Sequence, residues 1–159
     1  MQLKKESLAH QDEPFLIALY SSTRSDELAL VSWDNAEKHT FLLHQFHAQQ
    51  QHYFSKYPNA SYQIIKLNDI SIGRLYVAEV EDEIKILDLT ILAEYRGQTF
   101  GTQLIKEILA EAGKKNKSVE IYIENFNRSQ NLFKRLNFQP ESDGGIYVIW
   151  RWGENSSNL

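Results

Sequence analysis

The stretch from Tyr62 to Leu92 most constrains the fold, because its apolar residues change from a helical period to the two-residue period of β-strands. Three segments of this kind follow one another: Tyr62–Leu67, Ile72–Val80 and Ile84–Leu92. The turn residues Asn68-Asp69 and Glu81-Asp82-Glu83 separate them. We therefore predict a three-strand antiparallel meander, with the Ile- and Leu-rich third segment as a central strand.

Helical patterns flank the meander. Two helices are predicted before it: a short one that ends near Ser21-Ser22-Thr23, and a longer one that starts after Asp34 or Asn35 and ends at Pro58-Asn59. Four elements are predicted after it: a helix over Leu104–Ala112, a strand over Val119–Ile123, a short helix carrying Leu132 and Leu136, and a strand over Ile146–Trp152. The start of the chain is compatible with one more strand. This order indicates an α+β fold with a mixed, mostly antiparallel sheet, and one domain over residues 1–159.

The composition excludes several classes of function. The chain has no cysteine, so it can form no disulfide, no thiolate metal site and no thiol nucleophile. A net charge of -4 with no basic patch argues against a nucleic-acid partner. No run approaches the ~20 apolar residues of a membrane span, and the start lacks the apolar stretch of a signal peptide. We therefore expect a cytoplasmic protein with no membrane partner.

The segment Tyr95–Thr102 connects the third strand of the meander to an amphipathic helix and carries two glycines. Small residues let a ligand approach the backbone, and the free N–H groups at a helix start favour an anion such as a pyrophosphate. The segment has neither the Gly-Lys-Ser/Thr of a P-loop nor the Gly-x-Gly-x-x-Gly of a dinucleotide fold. On these residues alone, a phosphate cradle and a plain turn are equally good interpretations.

The same segment resembles a motif of the GNAT acetyltransferase family, Arg/Gln-x-x-Gly-x-Gly/Ala after an aromatic residue. Tyr95, Arg96, Gly101 and Thr102 stand in its frame, and Thr99 replaces the first glycine.

A second block, Asn127–Phe138, resembles the family's Asn-x-Ala-x-x-Leu-Tyr-x-x-Leu-Gly-Phe. Four of its residues match in kind: Asn127, Leu132, Leu136 and Phe138. Phe133 stands where many members carry a tyrosine that can protonate the leaving thiolate, and Asn137 stands at the customary glycine, where asparagine tolerates a positive φ.

The resemblance implies a sheet that splays between its fourth and fifth strands and an N-acetyltransferase that moves the acetyl group of acetyl-CoA directly to an amine. The acceptor would be a small molecule or a peptide, and the resemblance also allows a homodimer. None of the five histidines forms a metal-ligand spacing with a carboxylate, so we predict no metal. The residues that the resemblance assigns to acetyl-CoA are Leu89, Thr90, Ile91, Arg96, Gly97, Gln98, Thr99, Phe100, Gly101, Thr102, Asn127 and Phe133.

Asp88 is the best candidate for the base that deprotonates the amine, because it is the only acid within an apolar central strand and burial would raise its pKa. A solvent-facing strand residue is the alternative. Tyr122 is the second catalytic candidate, with cross-strand packing as its alternative. Four residues are candidates for the acceptor pocket: Trp33, Arg74, Tyr76 and Glu124. Core packing is the alternative for Trp33 and Tyr76. Glu120 and Glu124 could bind a cationic acceptor or face water.

Two other functions remain open at this stage. Phe133 and Thr99 would also suit a CoA-binding or partner-binding module with little or no catalytic activity on the same fold. A structural domain without a ligand is the third hypothesis.

Overall fold

The computed structural model describes residues 3–97, 99–124, 130–142 and 147–153. These residues form seven strands and four helices. The strands are β1 (Leu3–Ser7), β2 (Ser61–Leu67), β3 (Ile70–Val80), β4 (Glu83–Ile91), β5 (Ser118–Glu124), β6 (Gln139–Ser142) and β7 (Tyr147–Trp152). The helices are α1 (Glu13–Ala29), α2 (Asn35–Lys56), α3 (Phe100–Lys115) and α4 (Gln130–Arg135). Short 3₁₀ turns lie at His10–Asp12 and Ala93–Tyr95.

The strands form one sheet in the order β1-β2-β3-β4-β5-β7-β6. β1 pairs antiparallel with β2, and β5 and β6 both pair antiparallel with β7. β4 and β5 pair in parallel. The predicted mixed, mostly antiparallel sheet flanked by helices is therefore confirmed, and β1 is the additional strand that the start of the chain allowed.

The chain divides into two compact units, and β3 and β4 contribute to both. The first unit comprises Met1–Leu75 and Thr90–Tyr95, and the second comprises Tyr76–Leu89 and Arg96–Leu159. In the first unit, Leu16 and Tyr20 of α1 pack with Phe46 of α2 and Ile64 of β2. In the second, α3 buries an apolar stripe that includes Leu104, Ile105 and Ile108.

Two predictions about the elements were wrong. The first helix continues to Ala29 instead of ending near Thr23, because the hydroxyls of Ser22, Thr23 and Ser25 donate to carbonyls three residues earlier and leave the helix intact. The strand β6 was missed. It is a four-residue edge strand with Pro140 in it, and an edge tolerates a residue without an N–H where a central strand does not.

Candidate functional site

The strands β4 and β5 separate part-way along their length. Their pairing runs from Glu83–Ser118 to Ile86–Ile121, yet both strands continue for at least three residues beyond it. Over the same stretch β5 stays paired with β7, up to Glu124–Tyr147. The predicted splay between the fourth and fifth strands is therefore confirmed.

The burial pattern of β4 changes at the point where the two strands separate. Ile84 and Ile86 are buried and alternate with half-buried neighbours, as in a strand with one covered face. From Leu87 to Ile91 every residue is half-buried. This loss of alternation is typical of a strand that lines an opening, and it includes Asp88, Leu89 and Thr90.

The loop after β4 leads into the amino terminus of α3. Gly97 and Thr99 both have positive φ, 76° and 68°. The first helical N–H with a backbone acceptor is that of Gln103, which donates to the carbonyl of Thr99 at 2.9 Å. The amides of Phe100, Gly101 and Thr102 are thus the orphan donors that begin every helix, and they can serve an anion.

Thr99 and Asn137, the two departures from the glycine pattern, both adopt the conformation that glycine favours. Thr99 has φ 68° and ψ 5° at the N-cap of α3, and Asn137 has φ 69° after α4. The expectation that Asn137 takes a positive φ is confirmed. A β-branched residue in this region is a conformational outlier, and such outliers persist where the surrounding structure imposes them.

Side chains in this region differ in what they can contribute. Arg96, Gly97 and Thr99 are exposed, and Gly101 and Thr102 are half-buried. Phe100 is buried, so its side chain belongs to the core and only its backbone N–H is available to a ligand.

Phe133 lies in α4 and is 3% exposed. Its ring meets that of Phe138 edge to face, with centroids 5.1 Å apart. The amide of Phe138 donates to the carbonyl of Phe133 at 3.0 Å, which closes the end of the helix. Asn127 and Gln98, two other residues assigned to the cosubstrate, lie outside the described residues.

The two catalytic candidates lie on the two strands that separate. Asp88 is half-buried on β4 beyond the last pair with β5. Tyr122 is 59% exposed on β5, also just beyond that pair, although it lies opposite Ile149 of β7. Its place opposite Ile149 is compatible with cross-strand packing, and its exposure is compatible with contact with a substrate.

The comparisons with known proteins agree with this geometry. The model of the acetyltransferase (GNAT) family matches residues 27–138, which is more than two thirds of the chain. This chain belongs to the GNAT acetyltransferase family.

One curated relative and several solved structures share this membership. A Bacillus subtilis protein, provisionally named a [ribosomal protein bS18]-alanine N-acetyltransferase, is 32% identical over 92 residues. The match covers 56% of this chain and 58% of that protein, so the chain spans under two thirds of the length of this relative.

Solved structures with this fold include two with a bound CoA species. PaiA N-acetyltransferase from Thermoplasma acidophilum in complex with coenzyme A has a TM-score of 0.70 and 16% identity, over 97% of this chain and 100% of that one. Naa50 from Arabidopsis thaliana, in complex with the bisubstrate analogue CoA-Ac-MVNAL, has a TM-score of 0.62 and 14% identity, over 97% and 100%. The predicted membership of the GNAT acetyltransferase family is confirmed.

In this GNAT protein the acceptor candidates lie in different environments. Trp33 lies in the connection between α1 and α2, exposed, with its ring 5.2 Å from that of Phe41. The two rings border a shallow depression of about 620 Å³ that is open to solvent, and its other lining residues, Ala36, Glu37, Thr40 and His44, lie along α2. Glu124 ends β5, and its side chain lies outside the described part of the structure.

Arg74 and Tyr76 lie on β3, and both are buried. The burial of Tyr76 favours core packing over contact with an acceptor. The guanidinium of Arg74 donates to Gln49 at 2.8 Å and to Gln50 at 3.5 Å. The sequence does not indicate this contact, because nothing in the helical pattern shows which polar residue a distant strand will approach.

Glu120 was expected to bind a cationic acceptor or to face water, and both expectations are wrong. It is buried on β5 and accepts a hydrogen bond from Arg151 at 3.0 Å. Burial, together with a hydrogen bond to Glu83, raises the pKa of the Glu120 carboxyl.

Two further observations bear on the site. Among the described residues, no group of three or more His, Asp or Glu side chains could hold a metal ion. No helix in the same residues is long and apolar enough to cross a bilayer.

Proposed function

We propose that this GNAT protein transfers the acetyl group of acetyl-CoA to the α-amine of a peptide, with the acetyl-CoA arm between the separated ends of β4 and β5. The observation that carries the proposal is the end of the β4–β5 pairing at Ile86–Ile121, followed by a half-buried stretch of β4 that includes Asp88 and Leu89. A strand edge of this kind can offer backbone groups to an extended ligand.

The pyrophosphate of acetyl-CoA is assigned to the start of α3. The orphan amides of Phe100, Gly101 and Thr102 point out of the helix terminus, and the helix dipole adds a partial positive charge there. The positive φ of Gly97 and Thr99 supports a loop shaped for a ligand. Arg96 is exposed beside it and adds a full positive charge.

The chemical step is an attack of the neutral amine on the thioester carbonyl. The new C–N bond forms, the C–S bond breaks, and the thiolate of CoA leaves. We assign removal of the proton of the amine to Asp88 and a contact with the substrate to the hydroxyl of Tyr122. Phe133 has no proton to donate, so a water molecule or the protonated acceptor supplies the proton that the thiolate takes up.

We propose Trp33 and Phe41 as contacts of the acceptor on the shallow depression beside the start of α2. Its two aromatic rings suit an apolar side chain, and Glu37 on its border suits a cationic amine. The names of two similar proteins, one for a ribosomal-protein alanine and one bound to a CoA–peptide conjugate, support a peptide over a small molecule. We also propose Arg74, Tyr76 and Glu124 as residues of the acceptor pocket.

A coupled assay of thiol release tests the activity. Peptides that begin with alanine or methionine are compared with small-molecule amines at the same concentration. We expect release with at least one peptide and a loss of about 10²- to 10⁴-fold in kcat for Asp88→Asn, with CoA affinity kept.

Binding of CoA with no thiol release for any amine would instead favour the non-catalytic module that Phe133 and Thr99 suggest.

The proposal also includes one domain over residues 1–159, a cytoplasmic location and a homodimer. Light scattering measures the molar mass in solution and so tests the homodimer.

A further inference from the structure

Arg151 of β7 contacts one carboxylate from each of three other strands. Its Nη1 donates to Glu83 of β4 at 2.6 Å, its Nη2 to Glu120 of β5 at 3.0 Å, and its Nε to Glu141 of β6 at 2.6 Å. The Oγ of Ser118 accepts a further bond at 3.3 Å. We call Arg151 and its three carboxylates the Arg151 clamp. All its members belong to the second compact unit.

Two members of the Arg151 clamp are largely withdrawn from solvent, whereas the side chain of Glu141 is 40% exposed. The side chain of Glu120 is 6% exposed and that of Arg151 is 16% exposed. A charge in such a place is stable only when it is paired, so removal of the guanidinium would leave Glu120 without its cation. The clamp therefore differs from the solvent-exposed ion pairs elsewhere on the chain.

The position of the clamp relates it to the separated strands. Glu83 and Ser118 are opposite each other in the first of the four residue pairs that join β4 to β5, and Lys85 is opposite Glu120. β4 and β5 separate three residues further on, after Ile86 and Ile121. The clamp thus joins β4 to β5 at the closed end of the opening. Four residue pairs connect the two strands there.

We infer that Arg151 is a positioning residue, which fixes the separation of β4 from β5 and thereby the width of the opening for acetyl-CoA. This inference rests on the proposed placement of acetyl-CoA between these strands. Arg151 touches no reacting group in this scheme and acts through the backbone of β4.

The clamp contains three carboxylates and one guanidinium. Its stability therefore depends on whether the carboxylates are protonated. The polar and charged groups around Glu120 and Arg151 are Glu83 and Lys85 of β4, Ser118 of β5 and Glu141 of β6. Burial, together with a hydrogen bond to Glu83, raises the pKa of Glu120, so this carboxyl keeps its proton to a higher pH than an ordinary glutamate does. When that proton leaves, two adjacent carboxylates repel each other across the β4–β5 junction.

Calorimetry with CoA tests the inference on the full chain. We expect Arg151→Met to raise the Kd for CoA and the KM for acetyl-CoA by about ten- to a hundredfold, with the KM of the acceptor changed far less. Arg151→Lys, which keeps the charge but loses the fork, should fall between Arg151→Met and the unmodified protein. Lys117→Met is the matched control, because Lys117 is 18% exposed and pairs with Glu79 at 3.2 Å in the same unit. It should leave the Kd for CoA unchanged.

A second measurement separates positioning from mere stability. The Kd for CoA is measured for the unmodified protein and for Glu120→Gln from about pH 5 to about pH 9. The Kd of the unmodified protein is then divided by that of Glu120→Gln at each pH. Ionisation of CoA itself cancels in this ratio. We expect the ratio to rise with pH, because Glu120 loses its proton and glutamine does not. This profile also tests the inference if Arg151→Met fails to fold.

A flat ratio, or an unchanged Kd in a folded Arg151→Met variant, would overturn the inference. If Gly101→Val abolishes CoA binding while the Arg151 variants bind normally, the proposed function stands and only the clamp is refuted. No CoA binding by the unmodified protein would overturn both.

Discussion

Replacement of Phe133 by tyrosine tests whether the side chain at this position faces the leaving thiolate. The ring is 3% exposed and packs edge to face on Phe138, so the added hydroxyl enters a largely apolar site. A buried hydroxyl without a partner costs about 1–3 kcal/mol. At about 2–4 °C per kcal/mol for a chain of this size, the melting temperature should fall by about 2–12 °C.

The same hydroxyl supplies the proton donor that the GNAT resemblance places here. We expect turnover per folded molecule to rise by up to about 10²-fold, the low end for general acid catalysis and equivalent to about 2.7 kcal/mol of activation free energy. Thiol release at saturating acetyl-CoA gives the rate, and thermal unfolding gives the stability.

Phe138→Tyr is the matched control for this change, because it adds the same oxygen to the other ring of the pair. It should lower the melting temperature and leave turnover unchanged. If Phe133→Tyr behaves like this control, Phe133 is a core residue and its placement toward the thiolate is refuted.

Three further changes have defined outcomes. Gly101→Val should raise the Kd for CoA by crowding the orphan amides, whereas Gly113→Val in the same helix, where an added Cβ meets nothing within 4 Å, should not; equal affinities by calorimetry would reject the phosphate site. Thr99→Gly should relieve its φ of 68° and stabilise the fold by under about 1.5 kcal/mol in urea unfolding, and a loss of stability would show that the threonine side chain makes a stronger contact. Hydrogen bonds from Lys115 and then Lys117 lower the pKa of Glu79, so its stabilising effect is present above the ordinary glutamate value of 4.5 and disappears as the pH falls through the lower folded pKa. Glu79→Gln should therefore destabilise by less than about 1 kcal/mol at neutral pH and by nothing in acid, and a difference that persists in acid would contradict this.

The sequence by itself determined most of the elements and the family. The alternation of apolar residues defined β2, β3 and β4 to within two residues, because a half-buried strand must alternate. The blocks around Gly101 and Asn137 placed the loop before α3 and the positive φ after α4, since both depend on residues next to each other in the chain. Local conformational preferences of this kind can be predicted from the sequence alone.

The tertiary structure decided which polar residues are buried and what they bind. Glu120 and Glu124 look alike on β5, yet Glu120 meets Glu83 and Arg151, which are 37 and 31 residues away in the chain. The pairing of Arg74 with Gln49 is equally remote. Strand register and helix docking set such contacts, and the pKa of a carboxyl depends on the water that these neighbours remove and the charges they bring. No local pattern encodes either quantity, so the clamp at the closed end of the opening became visible only when β4, β5, β6 and β7 were assembled.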